Sequence, residues 1–245
     1  MTTNRSPRRV AWITGGGSGT GRAVAVRAAA SGRAVAISGR RTEALEETSA
    51  QIVAAGGEAP LIVPLDVRDP EALAAAHSRV AAELGAVDDL VLAAGVNTPQ
   101  RTWADQSITE FAAIVETNLT AAARAVDLVL PGMRESGGGT IVVVSSISAW
   151  RLSPGAGVAY TASKRGLKAL TETLNGQEGR AGIRATLLLP GDIDSEFLRL
   201  RPEEPGEAER ARMLTPDDVA STVQCVLDLP AHITVDELVV SPTGF

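Results

Sequence analysis

Short apolar runs alternate along the whole chain with longer stretches whose apolar residues recur at helical spacing. The runs predict seven strands, at Val10–Thr14, Ala34–Ser38, Ala59–Leu65, Asp89–Ala93, Thr140–Ser145, Arg184–Leu189 and Glu237–Val240. The longer stretches predict helices near Gly21–Ser31, Thr42–Ala55, Pro70–Leu84, Ile108–Met133, Ala159–Gly179 and Pro216–Leu229. Strands that alternate with helices form βαβ units, so we expect an α/β fold with a parallel sheet covered by helices on both faces.

The alternation continues without a long linker, so residues 1–245 are predicted to form a single domain. Residues 1–8 precede the first strand, and Arg5, Arg8 and Arg9 are interpreted as a solvated basic tail. The least regular stretch, residues 191–214, is rich in Pro, Glu and Arg and follows the sixth strand. We expect it to be a mobile insertion that acts as a lid or substrate loop.

Composition and charge narrow the class of protein. Hydrophobic residues make up 44% of the chain but aromatic residues only 3%, which suits a core of Ala, Val, Leu and Ile around parallel strands. A formal charge of −6 argues against a nucleic-acid partner. No segment approaches the roughly 18 apolar residues that span a membrane, and the single Cys225 excludes an internal disulfide framework and is expected to be buried. A cytoplasmic protein is the simplest account.

A glycine-rich loop joins the first strand to the first helix, with the sequence Thr14-Gly15-Gly16-Gly17-Ser18-Gly19-Thr20-Gly21. Glycines at this position allow a tight turn and let main-chain amides approach a pyrophosphate at the helix N-terminus. The loop lacks the Gly-Lys-Ser/Thr ending of a nucleoside-triphosphate site. We therefore predict that it binds a dinucleotide.

The end of the second strand bears on the choice of dinucleotide. It reads Ser38-Gly39-Arg40-Arg41, where an acidic residue would bind the ribose hydroxyls of NAD. Two guanidinium groups suit a 2′-phosphate instead, which favours NADP(H), although both arginines could also be an ordinary solvated helix start. Asp66 could accept a hydrogen bond from the adenine amino group, or it could cap the helix near Pro70. Adenine binding by Asp66 is compatible with a capped helix only if Asp69 is the cap.

Tyr160 and Lys164 stand four residues apart in a predicted helix. Residues at this spacing lie on one helix face, and a nearby positive charge favours the phenolate and lowers the pKa of a tyrosine. The pair could therefore exchange a proton with a substrate at neutral pH. Solvated neighbours are the alternative reading of this spacing taken alone.

With these motifs together, the chain resembles the short-chain dehydrogenase/reductase family over nearly its whole length. The loop matches the family's Thr-Gly-x-x-x-Gly-x-Gly motif, and Tyr160-Thr161-Ala162-Ser163-Lys164 its Tyr-x-x-x-Lys pair. Further matches are Asn118, Ser145-Ser146 and Pro190-Gly191-Asp192-Ile193-Asp194-Ser195. The chain departs from the family pattern at Ala93-Ala94-Gly95, where Asn-Ala-Gly is usual, and at Ser195, where Thr is usual.

The resemblance implies a Rossmann-type doubly wound sheet and a reversible hydride transfer between NADP(H) and a small ketone, aldehyde or secondary alcohol. It gives Tyr160 the role of general acid or base, and Lys164 those of lowering the pKa of Tyr160 and binding the nicotinamide ribose. Ser146 would hold the substrate oxygen, with Ser145 and Ser148 as competing choices, and Asn118 would sustain a water-linked proton path. No metal is required. The implied cofactor-binding residues are Gly15, Gly17, Ser18, Gly19, Thr20, Gly21, Ser38, Arg40, Arg41, Asp66, Val67, Ala93, Ala94, Gly95, Tyr160, Lys164, Pro190, Gly191, Ile193 and Ser195.

The substrate is the least determined part of the prediction. Apolar residues flank the catalytic positions and could form a pocket, a core or a subunit interface: Trp103, Trp150, Leu152, Val158, Phe197 and Leu198. Of these, Trp150 and Phe197, with Ser146, are the predicted substrate contacts. Arg199 and Arg201 could meet an anionic substrate, although a solvated loop is the simpler reading. The resemblance also implies a homotetramer or dimer with the helices of Asn118 and Tyr160 at the interface.

Two other functions stay open from the sequence. One is a non-catalytic dinucleotide-binding regulator on the same fold. The other is an epimerase or dehydratase that retains its cofactor. Intact catalytic groups weigh against the regulator, and net consumption of NADPH would distinguish the reductase from the second.

Overall fold

The computed structural model describes residues 8–244, and its strands form one sheet of seven parallel members. The strands are β1 (Val10–Thr14), β2 (Ala34–Gly39), β3 (Leu61–Pro64), β4 (Asp89–Leu92), β5 (Gly139–Val144), β6 (Ile183–Pro190) and β7 (Glu237–Val240). Their order in the sheet is β3-β2-β1-β4-β5-β6-β7, so the direction of winding reverses between β1 and β4. The prediction of a doubly wound parallel sheet is confirmed.

Helices connect successive strands and cover both faces of the sheet. The longer ones are α1 (Gly19–Ala30), α2 (Thr42–Ala54), α3 (Pro70–Glu83), α4 (Ile108–Val115), α5 (Ala121–Glu135), α7 (Val158–Glu178) and α9 (Pro216–Leu227). Two short helices, α6 (Ile147–Trp150) and α8 (Glu207–Arg210), lie in loops that follow β5 and β6. No helix in residues 8–244 is long and apolar enough to cross a membrane.

Alternate residues of each strand supply two separate cores. Trp12 of β1 belongs to the core beneath α3, α5 and α7, whereas its neighbours Ala11 and Ile13 belong to the core beneath α1, α2 and α9. This division follows from the two-residue period of a strand, which sends successive side chains to opposite faces. Because both faces are covered, the central strands read as continuous apolar runs, which is why the pattern located them.

Three local expectations need correction. The helix predicted at Ile108–Met133 is interrupted by a π-helical segment, Glu116–Thr120, between α4 and α5. Cys225 is exposed rather than buried, because its position on α9 faces solvent. Arg9 is not part of a solvated tail, since it pairs with Asp89 at the amino edge of the sheet.

Arg8 also differs from the expected tail. Its guanidinium donates to the carbonyl oxygens of Gly32 and Arg33, at 2.7 and 2.9 Å, and pairs with Glu58. It therefore joins the start of β1 to the loop before β2. Arg5 lies outside the described residues.

A buried ion pair holds the amino edge of the sheet together. The fully buried carboxylate of Asp89 on β4 accepts from Arg33 Nε at 2.8 Å and from Arg9 Nη2 at 2.6 Å. Arg33 also bonds Asp228 and the carbonyl oxygen of Leu227 at the end of α9. This cluster fixes the edge of the sheet opposite to the candidate site.

We expect Asp89→Asn to lower the free energy of unfolding by about 3 kcal/mol, because it leaves the buried Arg33 guanidinium without its carboxylate. Chemical denaturation of both proteins measures the change. Glu83→Gln is the matched control, since it breaks the exposed Arg79–Glu83 pair on α3 and should cost less than about 1 kcal/mol. Equal losses in the two variants would contradict the structural role of the cluster.

Candidate active site

A cavity of about 1030 Å³ opens at the carboxyl ends of the strands. It spans the point between β1 and β4 where the winding reverses, which is where open α/β sheets bind ligands. One end lies on the glycine loop after β1 and the other on loops that follow β4, β5 and β6. The cavity is long enough to join the two groups of motifs that the sequence singled out.

The glycine loop is shaped by close backbone contacts. Gly15 has φ +71°, and a Cβ at Gly21 would lie 2.2 Å from the Gly15 carbonyl oxygen, so neither position accepts a larger residue without rearrangement. Arg22 donates to the Gly17 carbonyl oxygen at 2.6 Å and holds the loop from behind. At the start of α1, Ser18 makes no capping bond with its side chain. The first amides of the helix are therefore available to an anion.

Nearly all predicted cofactor residues line this cavity. They are Gly15, Gly17, Ser18, Gly19, Thr20, Gly21, Arg40, Arg41, Asp66, Val67, Ala93, Ala94, Gly95, Tyr160, Lys164, Pro190, Gly191, Ile193 and Ser195.

Ser38 is the exception and a correction to the prediction. Its side chain is fully buried and its hydroxyl accepts a hydrogen bond from Trp12 Nε1 at 2.9 Å, so it faces the core rather than the cavity. Its carbonyl oxygen accepts from the Gly16 amide at 3.0 Å. Ser38 thus orients the glycine loop through its backbone.

The far end of the cavity, beyond the glycine loop, carries exposed arginines. Arg40 and Arg41 lie between β2 and α2, and Arg41 forms an ion pair with Glu196 at 3.2 Å. As the N-cap of α2, Arg41 makes no capping bond with its side chain, which leaves the first amides of that helix available as well. Positive side chains and free amides therefore share this corner.

Asp66 lies beside the same corner and is held by Arg68, whose Nη2 is 2.6 Å from the carboxylate. Hydrogen bonds from Arg68 hold the pKa of Asp66 below its usual value. Asp69, not Asp66, caps α3, with its carboxylate accepting from the Ala72 amide at 2.9 Å. The adenine-binding alternative for Asp66 is therefore compatible with the observed cap.

Tyr160 and Lys164 lie together at the other end of the cavity. They belong to α7, and the Lys164 ammonium is 5.6 Å from the centre of the Tyr160 ring. Lys164 is buried, and its Nζ donates to the Val144 carbonyl oxygen at the end of β5 at 2.9 Å. Ser146, two residues later, hydrogen-bonds the Tyr160 phenol. The predicted catalytic serine, tyrosine and lysine thus meet in one place.

Neighbouring hydroxyls can be distinguished by their partners. Ser145 Oγ is buried and donates to the Lys164 carbonyl oxygen at 3.1 Å. Ser148 is buried within α6, and its Oγ lies 3.2 Å from that of Ser146. Of the three serines, Ser146 is the one that hydrogen-bonds Tyr160, which favours it over the two alternatives.

Asn118 lies behind this group rather than on the cavity wall. Its Oδ1 accepts from the Val96 amide at 2.8 Å, and its Nδ2 donates to the Val96 carbonyl oxygen at 2.9 Å and to Ser163 Oγ at 3.1 Å. It belongs to the π-helical segment, and π-turns often occur at functional sites. The side chain therefore positions the loop after β4 against α7.

Burial is the largest influence on the pKa values of Tyr160 and Lys164. It raises the pKa of Tyr160 above the usual range of a phenol, while the hydrogen bond from Ser146 and the charges of Arg101 and Arg201 oppose the rise. Burial lowers the pKa of Lys164 from 10.5 to about 8. The lysine thus titrates close to neutral pH.

Only part of the predicted apolar pocket is present. Phe197 and Leu198 line the cavity, and the Phe197 ring centre is 6.1 Å from that of Tyr160. Trp150, predicted to contact the substrate, is 55% exposed and does not line the cavity, and the same holds for Trp103 and Leu152. In residues 8–244 no group of three His, Cys, Asp or Glu side chains could hold a metal ion.

The segment at residues 191–214 covers the cavity and contains short helical turns at Glu196–Leu200 and Glu207–Arg210. A parallel bridge joins Ile193 to Leu214, and the Asp194 amide donates to the Leu214 carbonyl oxygen at 2.8 Å. Its two ends are therefore fastened to each other. The prediction that it acts as a lid remains a prediction.

Arg101 is the residue of the site that the sequence analysis missed. It lines the cavity from the loop between β4 and α4 and donates to the carbonyl oxygen of Leu200, in the segment 191–214, at 2.6 Å. No local signal marks it, because an arginine in a polar loop normally reads as solvated. Only the fold brings it beside Tyr160.

The low pKa of Lys164 predicts a pH-dependent contribution to stability. From about pH 8 to pH 10 the native state releases this proton while the unfolded chain keeps it, so stability contributed by Lys164 rises with pH, by about 2 kcal/mol. Urea unfolding across this range should show that rise in the wild-type protein and not in Lys164→Met. Lys168→Met, which removes an exposed lysine from the same helix, should follow the wild type. A Lys164→Met curve parallel to the wild type would contradict the assignment.

Known proteins are similar to this chain in sequence and in fold. The chain matches the short chain dehydrogenase family over residues 9–205. It is 32% identical over 239 residues to sulfoacetaldehyde reductase of Chromohalobacter salexigens, a match that covers 95% of this chain and 93% of that protein. It is 31% identical to glycine betaine reductase ATRR of Emericella nidulans over 96% of this chain, but spans only 19% of that longer protein.

A solved structure agrees in fold. The alcohol dehydrogenase of the archaeon Thermococcus sibiricus, complexed with 5-hydroxy-NADP, superimposes with a TM-score of 0.85 at 29% identity over 96% of this chain and 97% of that one. The family match covers the glycine loop, the Tyr160–Lys164 pair and most of the sheet. The chain therefore belongs to the short chain dehydrogenase family.

Proposed function

We propose that this protein is an NADP(H)-dependent oxidoreductase that interconverts a small ketone or aldehyde and the corresponding alcohol. The observation that carries the proposal is one continuous cavity with two functional ends. Ser146, Tyr160 and Lys164 meet at one end, and the glycine loop and Arg40–Arg41 lie towards the other. A dinucleotide laid along the cavity would bring a hydride donor beside a proton donor.

The part of the cavity formed by the glycine loop and the start of α1 has a geometry that suits the pyrophosphate of a dinucleotide. The close approach of Gly21 to Gly15 leaves main-chain amides at the cavity surface, and α1 begins without a side-chain cap. A pyrophosphate would satisfy these amides. When bound, a nicotinamide cofactor supplies the hydride, so the protein has only to bind, orient and handle a proton.

Tyr160 is the proposed donor of the proton that the substrate oxygen receives during reduction. Its raised pKa keeps the phenol protonated at neutral pH, so it can donate to a substrate oxygen during reduction. Ser146 holds that oxygen through a second hydrogen bond. Lys164, buried beside the ring, would provide a positive charge that stabilises the phenolate left after the transfer. We also propose that it binds the ribose hydroxyls of the cofactor, as the family resemblance implies.

Asn118 positions the proton-handling end of the site. Its bonds to Val96 and Ser163 connect the loop after β4 with α7, the helix of Tyr160 and Lys164. We propose that the π-helical segment around Asn118 leads a water-linked proton path towards Lys164. Ala93, which stands where the family usually has asparagine, is compatible with this because Thr14 Oγ1 lies 3.4 Å from the Ala94 amide and links β1 with β4.

Preference for NADP(H) over NAD(H) rests on the corner formed by β2 and α2. Arg40 and Arg41 and the free amides of α2 would receive a 2′-phosphate, and no acidic residue ends β2 to repel it. The Arg41 guanidinium already binds a carboxylate in this corner, that of Glu196 at 3.2 Å, which supports the proposal that the corner accepts an anionic group. The similar alcohol dehydrogenase of Thermococcus sibiricus carries an NADP derivative, which supports the same choice.

A homo-oligomer, dimer or tetramer, is part of the proposal. The start of α4 carries Ile108, 78% exposed, on the helix that leads to Asn118. We propose that α4, α5 and α7, the helices around Asn118 and Tyr160, form the interface, as the family resemblance implies.

Tyr160→Phe should reduce the turnover of a carbonyl substrate about a thousandfold, since the ring remains and only the proton donor is lost. Steady-state oxidation of NADPH measures the rate, and fluorescence titration should show unchanged NADPH binding. Thr173→Val is the control, because it removes an exposed hydroxyl from the same helix. A wild-type rate in Tyr160→Phe would sink the proton-transfer role.

The same assay separates the two other functions. No turnover of any compound in a broad carbonyl and alcohol panel would favour a dinucleotide-binding regulator. Conversion of substrate without net consumption of NADPH would favour an epimerase or dehydratase.

The double variant Arg40→Ala/Arg41→Ala should weaken NADPH binding about tenfold or more and leave NADH binding almost unchanged, because only NADPH carries the 2′-phosphate. Calorimetric titration with both cofactors gives the two affinities. The double variant Arg79→Ala/Arg134→Ala, at two exposed arginines that do not line the cavity, also removes two positive charges and is the charge-matched control. An equal loss for NADH and NADPH would place the phosphate elsewhere.

A further inference from the structure

Arg101 joins three separate loops around the catalytic end of the cavity. Its Nε donates to the Thr98 carbonyl oxygen at 2.9 Å, and its Nη1 donates to that of Gly155 at 2.8 Å. Its Nη2 donates to the Leu200 carbonyl oxygen at 2.6 Å. The guanidinium is thereby held in one position between the loop after β4, the turn before α7 and the lid.

These three bonds leave the charge of Arg101 uncompensated. A guanidinium has five N–H donors, so one on each terminal nitrogen remains unused. Within residues 8–244 no carboxylate forms an ion pair with Arg101, although the residue is only partly exposed. Neutral carbonyl oxygens hold the group in place, but they do not neutralise it.

A second arginine stands in the same part of the cavity. Arg201 directly follows Leu200, whose carbonyl oxygen Arg101 binds, and it forms an ion pair with Asp192. Burial and the charge of Arg201 both lower the pKa of Arg101. Of these two guanidinium groups near Tyr160, that of Arg201 has a carboxylate partner, Asp192, and that of Arg101 has none within residues 8–244.

The other acidic residues of the cavity wall do not supply the missing charge. Glu196 pairs with Arg41, and Asp66 pairs with Arg68, both towards the adenosine end. Glu110 is engaged in the capping box of α4 with Ser107. Glu203 is exposed on the lid. An anion from outside the chain would balance the two arginines.

We propose that the substrate is a carbonyl compound, or the matching alcohol, that carries a carboxylate, and that Arg101 and Arg201 bind this carboxylate while Ser146 and Tyr160 bind the reacting oxygen. The proposal rests on the oxidoreductase function proposed above and adds the class of substrate. Two unused donors on one planar guanidinium suit a carboxylate well, because the two oxygens can bind side by side.

The lid contact gives this binding a further consequence. Arg101 and Arg201 are connected through the Leu200 carbonyl oxygen and the Asp192 ion pair, both in the lid segment. A carboxylate that bridges the arginines would hold the lid against the loop after β4. Neutral carbonyl compounds would lack this interaction and would bind more weakly.

The test compares oxo acids with their methyl esters, for example acetoacetate with methyl acetoacetate, in a panel of 2-, 3- and 4-oxo acids with NADPH. We expect the ratio of kcat/KM for acid over ester to exceed one in the wild type. Arg101→Gln and Arg201→Gln should each lower that ratio about tenfold or more, because the ester loses nothing when the charge is removed. Arg212→Gln, on the outer side of the lid segment, is the charge-matched control and should leave the ratio unchanged.

A binding measurement guards against variants that fold poorly. 3-Hydroxybutyrate cannot react with the enzyme–NADPH complex, so calorimetry reports its binding without turnover. Binding should be about tenfold weaker in Arg201→Gln, while NADPH binding and the melting temperature stay close to the wild type.

The outcomes separate the two proposals. Esters turned over as well as acids, or equal losses for acid and ester in the arginine variants, would overturn the substrate class and leave the oxidoreductase function standing. Reduction of neutral ketones or aldehydes from the broader carbonyl panel, but of no oxo acid, would also overturn the substrate class alone. No turnover of any compound in that broader panel by the wild type would overturn the proposed function and the substrate class with it.

Discussion

The arrangement of the candidate site depends on one constraint, the reversal of winding between β1 and β4 in an all-parallel sheet. Parallel strands end at the same edge, and the reversal separates the loops that follow β1 and β4 so that a crevice opens between them. The glycine loop, the loop that carries Gly95, the serines after β5 and the Pro190–Gly191 turn all lie along this edge. Residues more than 170 positions apart in the chain therefore face one cavity.

A buried positive charge is the main cost of this arrangement. The Lys164 ammonium is buried and has therefore lost most of its hydrating water, and it donates a hydrogen bond to the Val144 carbonyl oxygen. This loss of hydration disfavours the charged form and therefore lowers the pKa of Lys164. The surroundings are built to hold it: Ser145 binds the Lys164 carbonyl oxygen, and Asn118 fastens the neighbouring loop through Val96. The neighbours of Lys164 thus keep this unfavourable buried charge in place beside the Tyr160 phenol.

Local charge in the cavity differs from the charge of the molecule. The chain has a formal charge of −6, yet Arg40, Arg41, Arg101, Lys164 and Arg201 all line the cavity. The acidic groups beside them are largely engaged in ion pairs with arginine. Such a distribution concentrates positive potential where an anionic cofactor and, by our proposal, an anionic substrate would enter.

The sequence by itself determined the strands, their alternation with helices, the glycine loop and the Tyr160–Lys164 pair. These features depend on residue spacing or on backbone freedom, and both can be read within a few positions of the chain. The tertiary structure alone decided which polar groups found partners. Ser38 hydrogen-bonds Trp12 in the core, Arg101 donates to the Leu200 carbonyl oxygen in the segment 191–214, and the chain around Asn118 forms a π-helical segment. Hydrogen bonds and ion pairs between distant segments depend on the packing of the whole sheet, and no local pattern of apolar and polar residues encodes them.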